Sequence, residues 1–509
     1  MEKSFLYGKH IIIDEKTVLN DAALVYQDGI IIDIGPYQQL MEKHRPKTIS
    51  GSSDSIIMPG LVNAHGHGRG LTDFQLGTLD DIIERWKFRS YPGLNLSLDT
   101  IWRSLLLIET GITSTMHNHN LSDPNNHLAE FNEVIDSYQK TGLKVAFAPT
   151  FHNQNLFVYE KGDDFKKTAS AHVRSLVQNH EHKVSLFNLK SYLSAVDWLR
   201  KERSNEYTTI LHGPLAPQWC TKESLMEINC HAKANSMRVH IHVLQTALQK
   251  EYGIRHLKKS LIEYLYSIDF LDERTTCGHS IWLNENDLNI LASTKSSVTN
   301  HPSCNLRIQS GISPVKKMLD KEITVGIGMD DKTFDDRKDF FTEMRLAAKL
   351  HRLGSLHFLE GDITSKDVFK MGTHWGGKII GFPDIGKLHK GCSADILEIS
   401  YNQIAYPYQN PDTDPIDLLL YRGQSCNVQT VIIAGETILQ NREFTKIDKN
   451  EIASKLVESL PNNYAELYRK EKEKWHALQQ HISQHYKKHG WLTDNNVKQN
   501  PFYEVNSRR

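Results

Sequence analysis

Pro59-Gly-Leu-Val-Asn-Ala-His65-Gly-His67 marks the point where the texture of this chain changes. Residues 1–58 before it read as strands and turns. Leu24–Tyr26 and Ile30–Ile34 flank Gln27-Asp28-Gly29, and Asp-Gly between apolar runs is a strong hairpin signal. From Leu61 to about Phe382 short apolar runs alternate with amphipathic helical stretches. Ile112–Met116 follows a helix over Thr100–Glu109, Val145–Ala148 one over Phe131–Lys140, and Thr208–Leu211 one over Leu186–Lys201. Val239–Val243, Val298-Thr299 and Thr324–Ile327 follow helices over Lys222–Ala234, Glu285–Ala292 and Pro314–Lys321. That alternation means βαβ units and a parallel sheet. Its spacing fits an α/β (β/α)8 TIM-like barrel better than an open sheet.

After Gly386 the strand texture returns, in Ala394–Ile399, Val428–Ile433 and Glu436–Leu439. The chain ends much as it begins. The expected organisation is a small β-sandwich domain built from both termini (1–58 and 387–449), a barrel over 59–386, and a C-terminal helical extension over 450–509. The Lys/Glu-rich helix at Tyr464–Tyr486 reads as a solvated surface helix.

Composition narrows the function. The 509 residues carry 60 Lys+Arg and 61 Asp+Glu, a formal charge of −1. That balance argues against a nucleic-acid or membrane-surface binder. Hydrophobic content of 39% supports a packed core. No stretch approaches the roughly 18 unbroken apolar residues of a membrane span, and the first twenty residues lack a signal-peptide core. Cys220, Cys230, Cys277, Cys304, Cys392 and Cys426 lie far apart and read as reduced, mostly buried thiols. A soluble cytoplasmic protein is the expectation. The 26 histidines matter through their positions.

His65 and His67 stand at i and i+2 just past an apolar strand, so both rings point to one side. At the C-terminal mouth of a barrel strand they converge where barrel active sites sit. Gly60, Gly66, Gly68 and Gly70 leave the backbone free to approach an ion. The second cluster is Val239-His240-Ile241-His242-Val243-Leu244-Gln245, again at a strand end. His242 can complete the site, and His240 reads as a hydrogen-bonded core histidine. Cys277-Gly278-His279 and Thr324-Val-Gly-Ile-Gly-Met-Asp330 end two more strands. Together His65, His67 and His242 supply three neutral nitrogens and Asp330 an oxygen. A zinc-like ion with an open position lowers the pKa of bound water from about 15.7 toward about 7. The natural reaction is then hydrolysis.

These residues resemble the amidohydrolase superfamily, most of all its triazine-hydrolase, chlorohydrolase and deaminase branch. The resemblance runs along almost the whole chain: PGLVNAHGH (59–67), GITST (111–115), GPLAPQWC (213–220), HIHVLQT (240–246), GHSIWL (278–283), NHPSCNLRIQSGISPV (300–315), GIGMDD (326–331), DFFTEMRLAAKLHR (339–352) and GKLHKGCSADILEI (386–399). It implies one divalent metal on His65, His67, His242 and Asp330, with His279 polarising the substrate or steadying the water. Asp330 then takes the water's proton and passes it to the leaving group. No lysine or glutamate stands at the fourth strand to bridge a second ion, so the site is expected to be mononuclear. Zinc is the first expectation and iron the second, since histidine and carboxylate suit both.

One departure stands out. The branch usually reads H-x-x-E at the fifth strand, and here the run is His242-Val-Leu-Gln245. A glutamine donates a hydrogen bond but cannot shuttle a proton, and losing a general acid costs about 10²–10⁴-fold. His301 and His279 are candidates to replace it. His117 and His119, two past the second strand, are candidate pocket residues, with rim histidines in water as the plain alternative. Arg69 and Gln75 are candidates to bind a substrate carbonyl or carboxylate. Trp219 reads as packing. The expected partner is a small-molecule substrate, with a homodimer possible. Three functions compete: an aminohydrolase acting on an N-heterocycle, a hydrolase of another C–N or C–halide bond that needs less ring protonation, and a metal-holding binding protein.

Overall fold

The computed structural model describes residues 3–160, 163–352 and 361–493. The chain opens with β1 (Ser4–Ile12), β2 (Val18–Gln27), β3 (Ile30–Pro36) and β4 (Ser50–Pro59). Asp28 and Gly29, between β2 and β3, both take positive φ, 51° and 78°. That pair of left-handed residues is the geometry of the tight hairpin turn expected from Asp-Gly.

The barrel strands follow: β5 (Leu61–Asn63), β6 (Ile112–His119), β7 (Lys144–Phe151), β8 (Thr208–Ile210) with its continuation β9 (Gly213–Pro214), β10 (Val239–Val243), β11 (Thr275–His279), β12 (Ser297–Asn300) and β13 (Val325–Ile327). β5 through β8 pair in parallel in chain order, and so do β10 through β13. Two seams close the ring. The Ala64 N–H donates to Ile327 O at 2.8 Å, and the His212 N–H donates to Arg238 O at 3.0 Å. Every residue of β6 and β7 is buried, as a strand packed on both faces requires. The helix at Lys222–Ala234 is capped by the Thr221 side chain, which accepts the Ser224 N–H.

β14 (Ile396–Ser400), β15 (Val428–Ile433), β16 (Glu436–Gln440) and β17 (Glu443–Phe444) then join the first four strands. The eight form one sheet in the order β17-β16-β15-β14-β4-β1-β2-β3. The sheet curls until the β2–β3 hairpin meets the far side: the Ala394 N–H donates to Gly29 O at 2.7 Å and the Ile31 N–H to Cys392 O at 2.9 Å. The space inside is filled by Leu6, Ile11, Leu24, Ile57, Ile396 and Ile432 among others. The two-ended β-domain expected from the sequence is therefore present.

Three expectations change. β6 runs three residues past its anticipated end, so His117 and His119 belong to the strand and are buried, not rim residues in water. The Tyr464–Lys488 helix is not simply solvated, because Leu478, Ile482, His485 and Tyr486 are buried under it. Only three of the six free cysteines are buried; Cys230 and Cys426 are exposed. Helices at Asp163–Thr168 and Ala171–Ser185 follow β7 and matter below. Residues 494–509 of the extension lie outside the described residues.

Candidate active site

The histidines expected at strand ends meet at one point. His65 Nε2 lies 3.2 Å and His67 Nε2 3.3 Å from Asp330 Oδ1. One ring nitrogen each of His65, His67 and His242 lie within 4.8 Å of one another. The ring orientations are set from behind. His67 Nδ1 donates to Asn118 O at 3.1 Å and His242 Nδ1 to Leu215 O at 2.8 Å. Both rings therefore carry the proton on Nδ1 and turn a bare Nε2 toward the cluster. Asp330 and the next residue, Asp331, both sit in the left-handed region, at φ 49° and 53°. Such non-glycine geometry costs about 1 kcal/mol or more per residue. It aims the Asp330 carboxylate inward while Asp331 points back under the first loop.

The donor set suits a divalent cation. Both ring nitrogens of His65 and Nε2 of His279 are buried without a hydrogen-bond partner among the described residues. Buried polar atoms are seldom left so. Three imidazoles and one carboxylate are borderline ligands of the kind zinc and ferrous iron accept. Burial outweighs the pull of Asp330 and brings His279 down to about 4, so its ring is neutral and one nitrogen is free to accept.

His279 Nδ1 pairs with Asn305 Oδ1 at 2.8 Å, and its Nε2 stands 3.7 Å from Asp330 Oδ2. The Cys304 thiol donates to Asp330 Oδ2 at 2.9 Å, a contact the sequence reading missed although Cys304 lies inside a motif it quoted. Burial and that carboxylate push the thiol well above its usual range, so it stays a donor. His240 is buried but not hydrogen-bonded as expected. Its two ring nitrogens have no hydrogen-bond partner among the described residues, and its ring stacks on His65 at 4.8 Å.

Above this cluster opens a cavity of about 420 Å³, with His67, His242, Gln245, His279 and Asp330 in its floor. Arg69 lines it as expected, but it lies over the Tyr91 ring at 4.9 Å and 3.9 Å from Asp73. Trp219 packs into the hydrophobic core as expected and also lines the cavity with one face. Three candidates are not in the wall. Gln75 is exposed, and its Oε1 accepts the Thr72 N–H at 2.9 Å, closing a local turn. His301 is stacked on His65 at 4.3 Å; its Nε2 bonds Thr299 Oγ1 at 3.0 Å, and its Nδ1 lies 3.1 Å from His279 Nδ1 and 3.8 Å from Asp330 Oδ2, within the cluster but below the wall. His117 is sealed beneath Gly68, where a Cβ would come within 2.1 Å of its ring.

His117 belongs instead to a buried chain of groups. Glu130 Oε1 holds His119 Nε2 at 2.8 Å, His119 Nδ1 meets His117 Nε2 at 3.3 Å, and His117 Nδ1 meets the Tyr138 hydroxyl at 3.2 Å. Arg103 bridges the Tyr138 hydroxyl and Asp331 Oδ1. Asp331 Oδ2 accepts the backbone N–H of His67 at 2.7 Å and of Arg69 at 3.1 Å. Gly66 and Gly68 make room for that chain, while Gly60 makes room for Thr113 and Gly70 for Asp99. A Cβ on Gly66 would meet the Arg103 guanidinium at 2.4 Å.

The sequence profile of the amidohydrolase family matches residues 56–438. The chain is 26% identical over 459 residues to a 5'-deoxyadenosine deaminase of Methanosphaera stadtmanae, covering 87% of this chain and 96% of that protein. It is 25% identical over 462 residues to a 5-methylthioadenosine/S-adenosylhomocysteine deaminase of Thermodesulfovibrio yellowstonii, covering 86% and 93%. Among solved structures, atrazine chlorohydrolase from Arthrobacter aurescens, complexed with zinc, superposes with a TM-score of 0.73 at 17% identity, covering 90% of this chain and all of that one. With the family match running from β4 through the whole barrel into β16, this chain belongs to the amidohydrolase family.

Proposed function

We propose that the protein is a mononuclear metal-dependent aminohydrolase that releases ammonia from an amino-substituted N-heterocycle of the purine class. The observation that carries this reading is the cluster of ring nitrogens of His65, His67 and His242, with His65 and His67 set against Asp330 Oδ1, at the floor of the cavity. The deaminase relatives support the reaction, and the zinc-bound neighbour supports zinc as the ion.

His65, His67, His242 and Asp330 would hold the ion. When bound, it supplies Lewis-acid chemistry, bringing the pKa of a water from about 15.7 toward about 7. The chain's own groups do the rest. Asp330 takes the water proton on Oδ2 and delivers it to the departing amine nitrogen. The neutral His279, donating Nδ1 to Asn305 Oδ1, presents a bare Nε2 that accepts a hydrogen bond and orients the attacking water against the carbon. Gln245, in the cavity floor, holds a ring nitrogen by a hydrogen bond without titrating. The walls exclude bulk water, which strengthens each of these interactions.

A second reading keeps the hydrolysis but changes the bond. Gln245 in place of the usual glutamate favours a leaving group whose departure needs no ring protonation. Incubating zinc- and iron-loaded protein with 5'-deoxyadenosine, 5-methylthioadenosine, S-adenosylhomocysteine and aminotriazines, and measuring ammonia, tests the first reading. Ammonia from the purine compounds is expected. No ammonia from any compound, with one metal per chain verified, overturns it, and chloride release from a chlorotriazine points to the second.

A further inference from the structure

The outer half of the cavity gathers three basic side chains, Lys87, His152 and His180, that form no ion pair among the described residues. Lys87 follows the short Ile83–Trp86 helix, and its amine lies 4.4 Å from the Trp219 ring centroid and 5.0 Å from that of Phe88. Among the described residues no carboxylate is within ion-pair distance of it. Glu84, whose charge Lys87 feels, is not in ion-pair contact with it; its Oε1 accepts the Thr246 hydroxyl at 2.5 Å and the Tyr159 hydroxyl at 3.1 Å. His152, just past β7, and His180, on the Ala171–Ser185 helix, line the same wall. Neither has a hydrogen-bond partner among the described residues.

Three other cations of this wall are paired, while Lys183 at its exposed edge forms no ion pair among the described residues. Arg69 and Lys332 share Asp73, and Arg89 pairs with Asp81. Burial and mutual repulsion show in the first three groups: Lys87 is brought down to about 7, His180 to about 4 and His152 to about 3. An anion that enters this wall draws the proton onto these groups, and their half-buried setting makes the attraction stronger than in open water.

We propose that Lys87, His152 and His180 form a subsite for an anionic substituent, so that the substrate is an amino-heterocycle carrying a carboxylate or phosphate arm rather than a neutral one. The inference rests on the aminohydrolase reading for the orientation of the heterocycle on the metal floor. The arm then spans the cavity and ends between the amine and the two imidazoles. It separates the substrates of the relatives by chemistry: a methylthio or deoxy arm leaves the three groups without a partner, and an amino-acid arm does not.

The test uses the full-length metal-loaded protein and three adenine nucleosides: 5-methylthioadenosine (neutral arm), S-adenosylhomocysteine (carboxylate arm) and adenosine 5'-phosphate (phosphate arm). For at least one anionic substrate, kcat/KM is expected to exceed that of the neutral one tenfold or more. K87M should lower that ratio at least tenfold, mainly through KM, and K87R should restore most of it. H180Q, a milder change on a separate helix, should lower the ratio at least twofold. Identity of the preferred anionic compound decides between carboxylate and phosphate. A neutral compound processed best, or a ratio unmoved by K87M and H180Q, overturns the proposal. If none of the three releases ammonia, the aminohydrolase reading fails separately. The same three ligands measured by calorimetry then decide the subsite: equal Kd values for neutral and anionic compounds overturn it.

Discussion

Replacing Arg103 with methionine tests whether the buried chain of groups beneath the first loop holds the site together. Arg103 is fully buried and donates to Asp331 Oδ1 at 3.1 Å and to the Tyr138 hydroxyl. Methionine fills most of the volume and removes every donor. Asp331 then keeps two backbone N–H groups and Lys338, whose amine is 3.7 Å away. Breaking a buried pair costs about 3–5 kcal/mol, and the remaining lysine places R103M at the lower end, about 3 kcal/mol. With roughly 2.1 cal/mol/K of unfolding entropy per residue, or about 1 kcal/mol/K for a chain this long, Tm should fall about 3 °C. Asp331 also fixes the His67 backbone, so metal affinity should fall about 10–100-fold, as for other groups that orient a ligand. Calorimetry of metal-free and metal-loaded protein gives the first quantity, and competition with a chelator the second. R103M with affinity within twofold of the parent and Tm within about 1 °C would refute the argument that this pair supports the His67 loop.

Q245E should raise the deamination rate, by up to about 10²-fold, if the missing ring protonation limits turnover; steady-state ammonia release reads it, and a fall in turnover instead favours the second reading. Glu343 is buried and accepts the Ser303 hydroxyl and N–H, and burial raises it from 4.5 to about 8. A carboxyl raised on folding stabilises fully below its unfolded pKa, and that share is lost as pH climbs from about 4.5 through about 8. E343Q should therefore show a shallower loss of Tm between pH 6 and 9 than the parent, and parallel slopes would count against it. Trp475, from the extension, lines the cavity and donates Nε1 to Ser90 Oγ at 3.1 Å. W475A should raise KM about tenfold, the equivalent of roughly 1.4 kcal/mol of lost apolar burial, with kcat nearly unchanged.

The barrel and the histidine cluster at its mouth were legible because strands alternate. His65 and His67, and His240 and His242, could only point inward together, and apolar runs ahead of helices located the strand ends. The Lys222–Ala234 helix and the β10 strand fall where the pattern put them. What the pattern could not reach were pairings between distant segments. Nothing local in Gly66 or Gly68 distinguishes room for an ion from room for Arg103 or His117. Gln75 looked free in the sequence but closes its own turn, and His301 lay on the right strand end but below the wall, stacked on His65. The outer wall is assembled from Lys87, His152, His180 and Trp475, four segments whose proximity depends on loop paths. Trp475 in particular sits on a helix whose charged composition pointed to solvent. The neighbouring carboxylates Asp330 and Asp331 gave one usable signal: two acids at one strand end, of which only one can face the ion.

The curled sheet also bears on biosynthesis. β4 takes β14 as its neighbour, and the Ser55 hydroxyl bonds Glu398 at a separation of 343 positions. At about 5–20 residues per second, a ribosome needs roughly 20–70 s to make the intervening chain. Throughout that interval one flank of Ile56-Ile57-Met58 offers open amides and carbonyls to any passing strand, the hazard that sheet margins pose in general. Productive maturation in the cell should accordingly depend on a holdase that masks this flank until the closing strand emerges.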